Sequence, residues 1–357
     1  MNQNRLPLWL IKLIRYEFWP VYVFYFPFIF YWLYLSIKAR DLCFLFKINP
    51  SMILGGALGS EKKEALDCIH EEYKPKTVLI KPGASFKTIK EILVENLLQY
   101  PVIVKPNEGE RGNGVEKITN DTELRSYLKN QNGDLLIQEF INSLQGIGVF
   151  YYKDPATGKG TITSVVVKRF LNVVGNGLST LDQLISNNLR ARFRLEYLRN
   201  KYTDQLNDII DEGKVVYLEP VGNHCRGTEF LDGNHLINAR LTQIFDEITA
   251  HFPEFDYGRF DIKIEDLDSL YHGKGIKILE VNGVNAEPAH IYDRSYNIIG
   301  AYKDVKKQFD IMYLIYKTKY AKRHNELGLA DTYNLIKNHI NHKKTKKLNS
   351  STNFIKI

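Results

Sequence analysis

Two stretches, YGRFDIKI at residues 257–264 and IKILEVNGVNAEP running from 276 to 288, constrain this 357-residue chain more than any other part of it. Each reads as a β-strand, and the polar residues between them read as a turn. Side chains alternate along a strand, so Arg259 and Asp261 share one face, as do Glu280 and Asn282 on the second strand. Phe260, Ile262 and Ile264 take the opposite, core-facing side, which fixes the register and aims the polar set at something other than the core. One cation, two carboxylates and an amide are gathered in this way. Hard oxygen donors of this kind hold Mg²⁺ together with water and nucleotide phosphates, and an adjacent Arg suits a phosphoryl group in transfer. The competing reading is a surface ladder of paired charges.

The rest of the composition narrows the setting. At 44% hydrophobic the chain can bury one large core or two smaller ones. Cys43, Cys68 and Cys225 are far apart and show no metal-type spacing, which fits a reduced compartment without disulfides. Charge is unevenly placed. Residues 1–50 carry six Lys and Arg against two acids, and 301–357 carry thirteen against four; those ends, +4 and +9 of a total of +7, leave the middle at −6. A nucleic-acid enzyme would carry its basic residues along the working surface, so this pattern disfavours nucleic acid as a partner.

Residues 18–37, FWPVYVFYFPFIFYWLYLSI, contain no charge. At about 1.5 Å per residue such a helix can cross a ~30 Å hydrocarbon core. The run is too long and bulky for a secretory signal, and no small-residue cleavage site follows before Lys38 and Arg40. Pro20 and Pro27 interrupt it, aromatics fill it throughout, and the preceding LPLWLIKLIRYEF is amphipathic, as an in-plane helix would be. A transmembrane helix and a helix lying in the membrane surface are both open. Far downstream, Val305, Phe309, Met312, Tyr313, Tyr316 and Tyr320 recur at helical spacing among lysines, and a basic tail, HKKTKKLNSSTNFIKI, follows. Basic residues near an anionic leaflet add to membrane attraction.

Between these ends the text alternates helix and strand. DLCFLFKI reads as a strand, Ser60 as the cap of a helix through Ile69, 77–81 as a strand, 86–98 as a helix, and PVIVKP as a strand ending on Lys105. Gly55, Gly56 and Gly59 invite a phosphate-loop reading, which fails because no Gly-Lys-Ser/Thr follows. NEGERGNGVEKI places Gly109, Gly112 and Gly114 around an Asn-Gly dipeptide that favours a tight hairpin, and Lys105 one strand earlier can reach the same anion. GDLLIQEFI is a further strand. SVVVKRFLNVVGNGLSTLDQLI combines strand, turn and a helix opened by Ser179 or Thr180, residues 189–212 read as charged helices, and VVYLEPVGNHCRGTEF runs into a loop bearing His224, Arg226 and Thr228.

The order of parts is lysine strand, glycine hairpin, connector strand, then R-x-D and E-x-N. It resembles the ATP-grasp superfamily, with the D-alanine-D-alanine ligase group as the comparison for the nucleotide site, over residues 75–293. The 164–185 stretch looks like the GDG-S-T segment of cyanophycin-synthetase-type relatives. The resemblance implies an α/β (α+β) ATP-grasp fold in which two α+β subdomains clasp ATP. It divides the chain into a membrane segment (1–40), a reduced pre-ATP-grasp region (41–100), the ATP-grasp domain (101–300) and a helical basic tail (301–357). By position, Lys105 looks like the phosphate-contacting lysine and Gly109, Gly112 and Gly114 like the loop over the phosphates; Lys168 or Arg169 either points toward the phosphates or is an exposed edge residue. Gln138, Glu139 and Ile141 look like the adenine-holding segment. Gln145 falls where the ligases have a ribose-binding Glu, keeping an acceptor without its charge. Arg259 resembles the arginine that steadies the acyl phosphate, and Asp261, Glu280 and Asn282 resemble the Mg²⁺ ligands, with Mn²⁺ as a substitute ion.

One departure matters. The dipeptide ligases follow E-x-N with a Thr and a Pro-Gly pair, whereas here the text is EVNGVNAEPAHIYD, which disfavours D-alanyl-D-alanine synthesis. Glu287, His290, Tyr292 and Asp293 instead form a polar rim, with His224 and Arg226, for a different acceptor. The resemblance therefore implies an ATP-dependent carboxylate-amine ligase, and with the uncharged N-terminal run the expectation is an enzyme at a membrane surface, its catalytic domain on the cytoplasmic face, acting on unidentified substrates for which lipid-linked or cell-envelope molecules are candidates. An ATP-grasp kinase and a non-catalytic, membrane-anchored nucleotide-binding protein are the alternatives.

Overall fold

The computed structural model describes residues 6–58, 62–109, 112–129, 131, 133–143, 145–322 and 327–352, with side chains through 341. Its first elements are α1 (Leu8–Ile14), a 3-10 turn at Tyr16–Phe18 and α2 (Val21–Ala39). The uncharged run is thus split: Pro20, with φ −56° and ψ 137°, stands outside the helix and α2 starts at Val21. Among the described residues α2 is the one helix long and apolar enough to cross a membrane by length and composition. The expected strand DLCFLFKI is instead a 3-10 turn at Phe44–Lys47. Asp41 explains the difference, accepting from the Cys43 N–H at 2.8 Å and from Lys47 Nζ at 2.6 Å, a local alternative to ladder pairing.

A first α+β unit follows, comprising α3 (Lys62–Asp67), β1 (Thr77–Ile80), α4 (Phe86–Glu95), β2 (Val102–Pro106), β3 (Glu116–Ile118), α5 (Asp121–Leu128) and β4 (Leu135–Glu139). The strands form an antiparallel sheet in the order β1-β4-β2-β3. Val78, Val102, Val104, Ile118 and Ile137 on one face meet Ile89 and Leu93 of α4 and Leu124 of α5. Ser85 and Asn120 cap the two helices, each accepting from a backbone N–H three residues on. A boundary at residue 100 runs through this unit, because β1 and α4 belong to the same sheet and core as β2–β4. The cap expected at Ser60 lies outside the described residues.

The second unit holds β5 (Gln145–Lys153), β6 (Gly160–Arg169), β7 (Asn172–Val174), α6 (Leu181–Asn187), α7 (Leu189–Arg192), α8 (Leu195–Lys201), β8 (Val215–Tyr217), β9 (Glu229–Asp232), α9 (Ala239–Thr249), β10 (Tyr257–Ile264), α10 (Leu267–Tyr271) and β11 (Ile276–Asn282). Its five-stranded sheet runs β11-β10-β5-β6-β9. The apolar stripe of α9, Leu241, Ile244, Phe245 and Ile248, closes one face. There Phe260 sits edge-on to Phe245 and Phe255 at 5.3 and 5.2 Å, geometry worth roughly 0.5–1.5 kcal/mol per pair beyond burial. The β7–β8 ribbon and α6–α8 form a satellite with its own core of Leu181, Ile185, Leu198 and Leu218. Thr180 opens α6 in a capping box with Gln183.

Last come α11 (Ile298–Ile315), which continues as a π-turn through Tyr316–Tyr320, and α12 (Leu329–Thr352). The helical stripe read from the sequence is present, but Val305, Met312, Tyr316 and Tyr320 are buried inside the protein, against α2 and the Phe44–Lys47 turn. Near this junction Gly55 (φ +64°) and Gly56 (φ +88°) bring their backbone against Gly283, and the Val284 N–H donates to the Gly55 carbonyl at 2.9 Å. A Cβ on Gly283 would lie 2.1 Å from that carbonyl oxygen, so the glycines make a backbone seam and no phosphate loop.

Candidate active site

β10 and β11 pair antiparallel with Arg259 opposite Asn282 and Asp261 opposite Glu280, and a bulge after Asp261 shifts the register. The connection is not a bare polar turn, since α10 sits in it with Asp266 as its cap. All four polar side chains line one cavity. Arg259 donates Nε and Nη2 to the two oxygens of Asp261, both at 3.2 Å, and Nη1 to the Glu287 carbonyl at 3.2 Å. Lys168 Nζ donates to Asp261 Oδ1 at 2.9 Å, and Asn282 Nδ2 to Oδ2 at 3.4 Å. Burial alone would raise the Asp261 carboxyl, but Arg259 and Lys168 outweigh it and hold it well below the usual carboxylate range. Glu280 is less engaged: among the described residues its nearest cation is Lys62 at 3.8 Å.

Across the cavity Lys105, on β2, donates to Gln138 Oε1 at 3.0 Å and to the Leu279 carbonyl at 3.1 Å. Burial pushes this lysine down to about 8, against the raising effect of Glu280. Gln138 in turn donates Nε2 to Thr77 Oγ1 at 2.9 Å, so β1 and β4 orient the amide that orients the lysine. The glycine segment joins β2 to β3 through a loop longer than a two-residue hairpin, with Gly112 and Gly114 at φ +70° and +67°. Arg226 Nη2 donates to the Gly112 carbonyl at 2.8 Å and Lys62 Nζ to the Gly109 carbonyl at 2.5 Å. Arg226 is itself held with Arg194 and Lys201 around the buried Glu219 at 3.5, 3.4 and 3.2 Å.

The cavity measures about 750 Å³, within the ~300–1,000 Å³ typical of ligand sites. Among the described residues seven Lys and Arg side chains line it against five carboxylates, a balance that favours a polyanion. Lys105, Gly109, Gly112, Gln138, Glu139, Ile141, Lys168, His224, Arg259, Asp261, Glu280, Asn282 and Glu287 are all on its wall. Gln145 is not; it is exposed at the start of β5, paired with Ile264, which leaves the expected ribose contact unsupported by position. Gly114 and Arg226 stand behind the wall, shaping the glycine loop. His290 is buried between Ser164 Oγ at 2.7 Å and Asp304 at 3.1 Å, away from the cavity, and Asp293 accepts from the Asp232 N–H at 2.8 Å. The polar rim expected at 287–293 thus reduces to Glu287 and Tyr292, which donates to Glu287 Oε2 at 2.7 Å.

Several lining residues escape the sequence reading. Lys263 shares the β10 face with Arg259 and Asp261 by simple alternation, donates to the Ile141 carbonyl at 2.8 Å, and is pushed by burial down to about 8. The third wall comes from the N-terminal segment: Tyr16, Glu17, Phe18, Trp19, Val21 and Phe24 face the cavity. Glu17 is buried among Arg15 at 3.0 Å, His224 at 3.3 Å and Arg190, while Phe18 stacks on Phe193 at 4.5 Å. Little in the local sequence marks Glu17, because apart from Arg15 its partners Arg190 and His224 lie more than 170 residues away.

Among the described residues no three His, Cys, Asp or Glu side chains form a metal-holding group. A divalent ion would draw on Asp261, Glu280 and the Asn282 amide oxygen, a hard-oxygen set that suits Mg²⁺ when nucleotide phosphates complete the shell. Both Asp261 oxygens carry cation contacts, so the ion would share that carboxylate with Arg259 and Lys168.

The family model of the RimK-like ATP-grasp domain matches residues 70–153. None of the curated proteins matches the sequence. Solved structures similar to the chain include a D-alanine--D-alanine ligase from Bacillus anthracis (14% identity, TM-score 0.41, covering 72% of this chain and 66% of that one). The VanG D-Ala:D-Ser ligase from Enterococcus faecalis is similar at 14% identity and TM-score 0.41, covering 72% and 61%. A bifunctional glutathione synthetase from Pasteurella multocida follows at 16% and 0.39, covering 70% and 36%. The chain spans less than two thirds of the length of each. The ATP-grasp resemblance read from the motif order is borne out over residues 70–153, the stretch that holds Lys105, the glycine loop and the 138–141 segment.

Proposed function

We propose that this chain is an ATP-grasp ligase working at a membrane surface, joining a carboxylate to an amine through an acyl phosphate and releasing ADP and phosphate. The observation that carries the reading is the meeting, in one cavity, of Lys105 from the first sheet with Lys168, Arg259, Asp261, Glu280 and Asn282 from the second. Residues 138–141 supply the adenine end. Lys105 and Lys168 bear on the phosphates, and the loop carrying Gly109 and Gly112 covers them. The donor carboxylate attacks the γ-phosphoryl group while Arg259, fixed by Asp261 and the Glu287 carbonyl, balances the charge that develops. The amine nitrogen then attacks the acyl carbon and phosphate leaves. A Mg²⁺ ion held by Asp261, Glu280 and Asn282 would neutralise phosphate charge and polarise the transferred group.

The departure from the dipeptide ligases after Asn282 and the aromatic third wall support an acceptor or donor with an apolar part, such as a lipid-linked or cell-envelope molecule presented from the cytoplasmic leaflet. The test uses the whole protein with ATP, Mg²⁺, hydroxylamine and extracted lipid or amino-acid pools. An acyl phosphate gives a hydroxamate with matching ADP release. Labelled γ-phosphate retained on a stable product after an amine is supplied would instead establish a kinase.

A further inference from the structure

α2 has two unlike faces. Phe24, Phe28 and Leu35 are 2%, 7% and 2% exposed, whereas Tyr22, Phe26, Phe30 and Ile37 on the other side are 76%, 58%, 62% and 75% exposed. The inner face is docked on α11 over most of its length. Phe24 sits edge-on to Tyr302 at 5.2 Å, Phe28 stacks on Phe309 at 5.7 Å, Tyr31 donates to Asp310, and Lys38 lies over the Tyr313 ring at 5.0 Å. The two helices therefore run side by side and in the same direction. α11 carries Lys303, Asp304, Lys306, Lys307 and Asp310. If α2 crossed a bilayer, that charged partner would cross with it, which hydrocarbon does not tolerate.

We infer that α2 lies flat in the surface of an anionic lipid bilayer, its Tyr22, Phe26, Phe30 and Ile37 stripe immersed and its inner face clamped to α11, so that the membrane abuts the third wall of the catalytic cavity. Three observations favour lipid as the occupant. Residues 18–37 contain no acid, and Lys12, Lys38 and Arg40 flank them as headgroup partners. The aromatic rings of the stripe suit the depth at which headgroups meet acyl chains. The first turn of α2 also supplies Val21 and Phe24 to the cavity, so the immersed helix and the site are one continuous piece of chain. The inference deepens the membrane part of the proposed function and is independent of the ligation chemistry, so hydroxamate trapping and lipid docking succeed or fail separately.

The chain's three tryptophans are Trp9, Trp19 and Trp32, and Trp32 is half-buried on the α11 side of α2. In a W9F/W19F/W32F/F30W variant the single tryptophan stands on the exposed stripe near the middle of α2. Its fluorescence is measured in phosphatidylcholine-phosphatidylglycerol vesicles carrying bromine either near the headgroup or near the acyl-chain end. Strong quenching by the shallow bromines and weak quenching by the deep ones is the expected result; the reverse means a spanning helix and overturns the inference. A second variant, F26E/F30E, changes two exposed rings that sit edge-on to each other at 5.6 Å. It should lose vesicle co-sedimentation while keeping the unfolding midpoint of the parent. A parent chain that ignores vesicles and forms a dimer dispersed by F26E/F30E would show that the face meets a second copy, and lipid docking would be rejected.

Discussion

Lys105 is a buried ammonium held by one amide oxygen and one carbonyl, and its behaviour should depend on pH in two opposite ways. Its folded value of about 8 lies below the ordinary lysine value of 10.5, so charging it costs folding energy that is relieved as pH rises from about 8 towards 10.5. In the proposed function Lys105 bears on the nucleotide phosphates through its charge, so nucleotide binding should weaken over the same interval. Titrating KM for ATP should show a rise above about pH 8 that is missing in Lys105→Met, and that variant should lose ~10²–10³-fold in turnover without losing thermal stability. The two carboxylates are expected to part company. Glu280→Gln should abolish ADP release and leave the melting temperature near that of the parent, since its nearest cation is 3.8 Å away. Asp261→Asn should abolish turnover and also melt earlier, because Arg259 and Lys168 lose their shared partner, a class of loss worth ~3–5 kcal/mol when the pair is buried. Equal melting temperatures for the two variants would contradict this division. Arg259, Asp261, Glu280 and Asn282 were legible because strand alternation is a local rule; Lys263 obeys the same rule, but a lone lysine two residues on carries no motif to flag it.

At the scale of elements, the 3-10 turn at Tyr16–Phe18 joins regions that the chain separates widely. Tyr16 donates to the carbonyls of Ile291 and Tyr296, Glu17 meets Arg190 and His224, and Arg192 donates to the Leu6 carbonyl at 3.0 Å. Glu17→Ala would leave Arg190 facing the cavity without its carboxylate. The expected result is a lower melting temperature and faster protease cleavage before Val21, with parent behaviour restored more nearly by Glu17→Asp than by Glu17→Gln. The helices and strands of the middle were readable from period, caps and turn residues. DLCFLFKI was not, because its short continuous apolar run mimics a buried strand while Asp41 ties the backbone into a turn. The stripe on α11 was readable as a stripe, but its partner was not: sequence period shows that a face is apolar and says nothing of whether lipid, a sheet or another helix covers it.

For the whole molecule, α2 is a structural part of the folded body through its packing on α11, as well as the lipid contact inferred above. Removing residues 1–40 would uncover Val305, Ile311 and Met312 and lose the burial of Phe24, Phe28 and Leu35, each worth about 1.5–3 kcal/mol. The truncated protein should aggregate or melt well below the full chain, whereas a detachable anchor would leave a well-behaved soluble domain; scanning calorimetry and light scattering separate the outcomes. The full chain should stay in the membrane pellet through high-salt washing, since apolar burial is not screened by ions.

The seam between Gly55, Gly56 and Gly283 bears on how such chains can diverge. With 2.1 Å between a would-be Cβ at Gly283 and the Gly55 carbonyl oxygen, neither side can gain even a methyl group unless the other backbone retreats. The three positions are therefore expected to be inherited together or lost together. In distant relatives a larger residue at the position after the E-x-N asparagine should coincide with a rebuilt turn some 230 residues earlier, making the pair a joint marker for alignment where overall identity has faded.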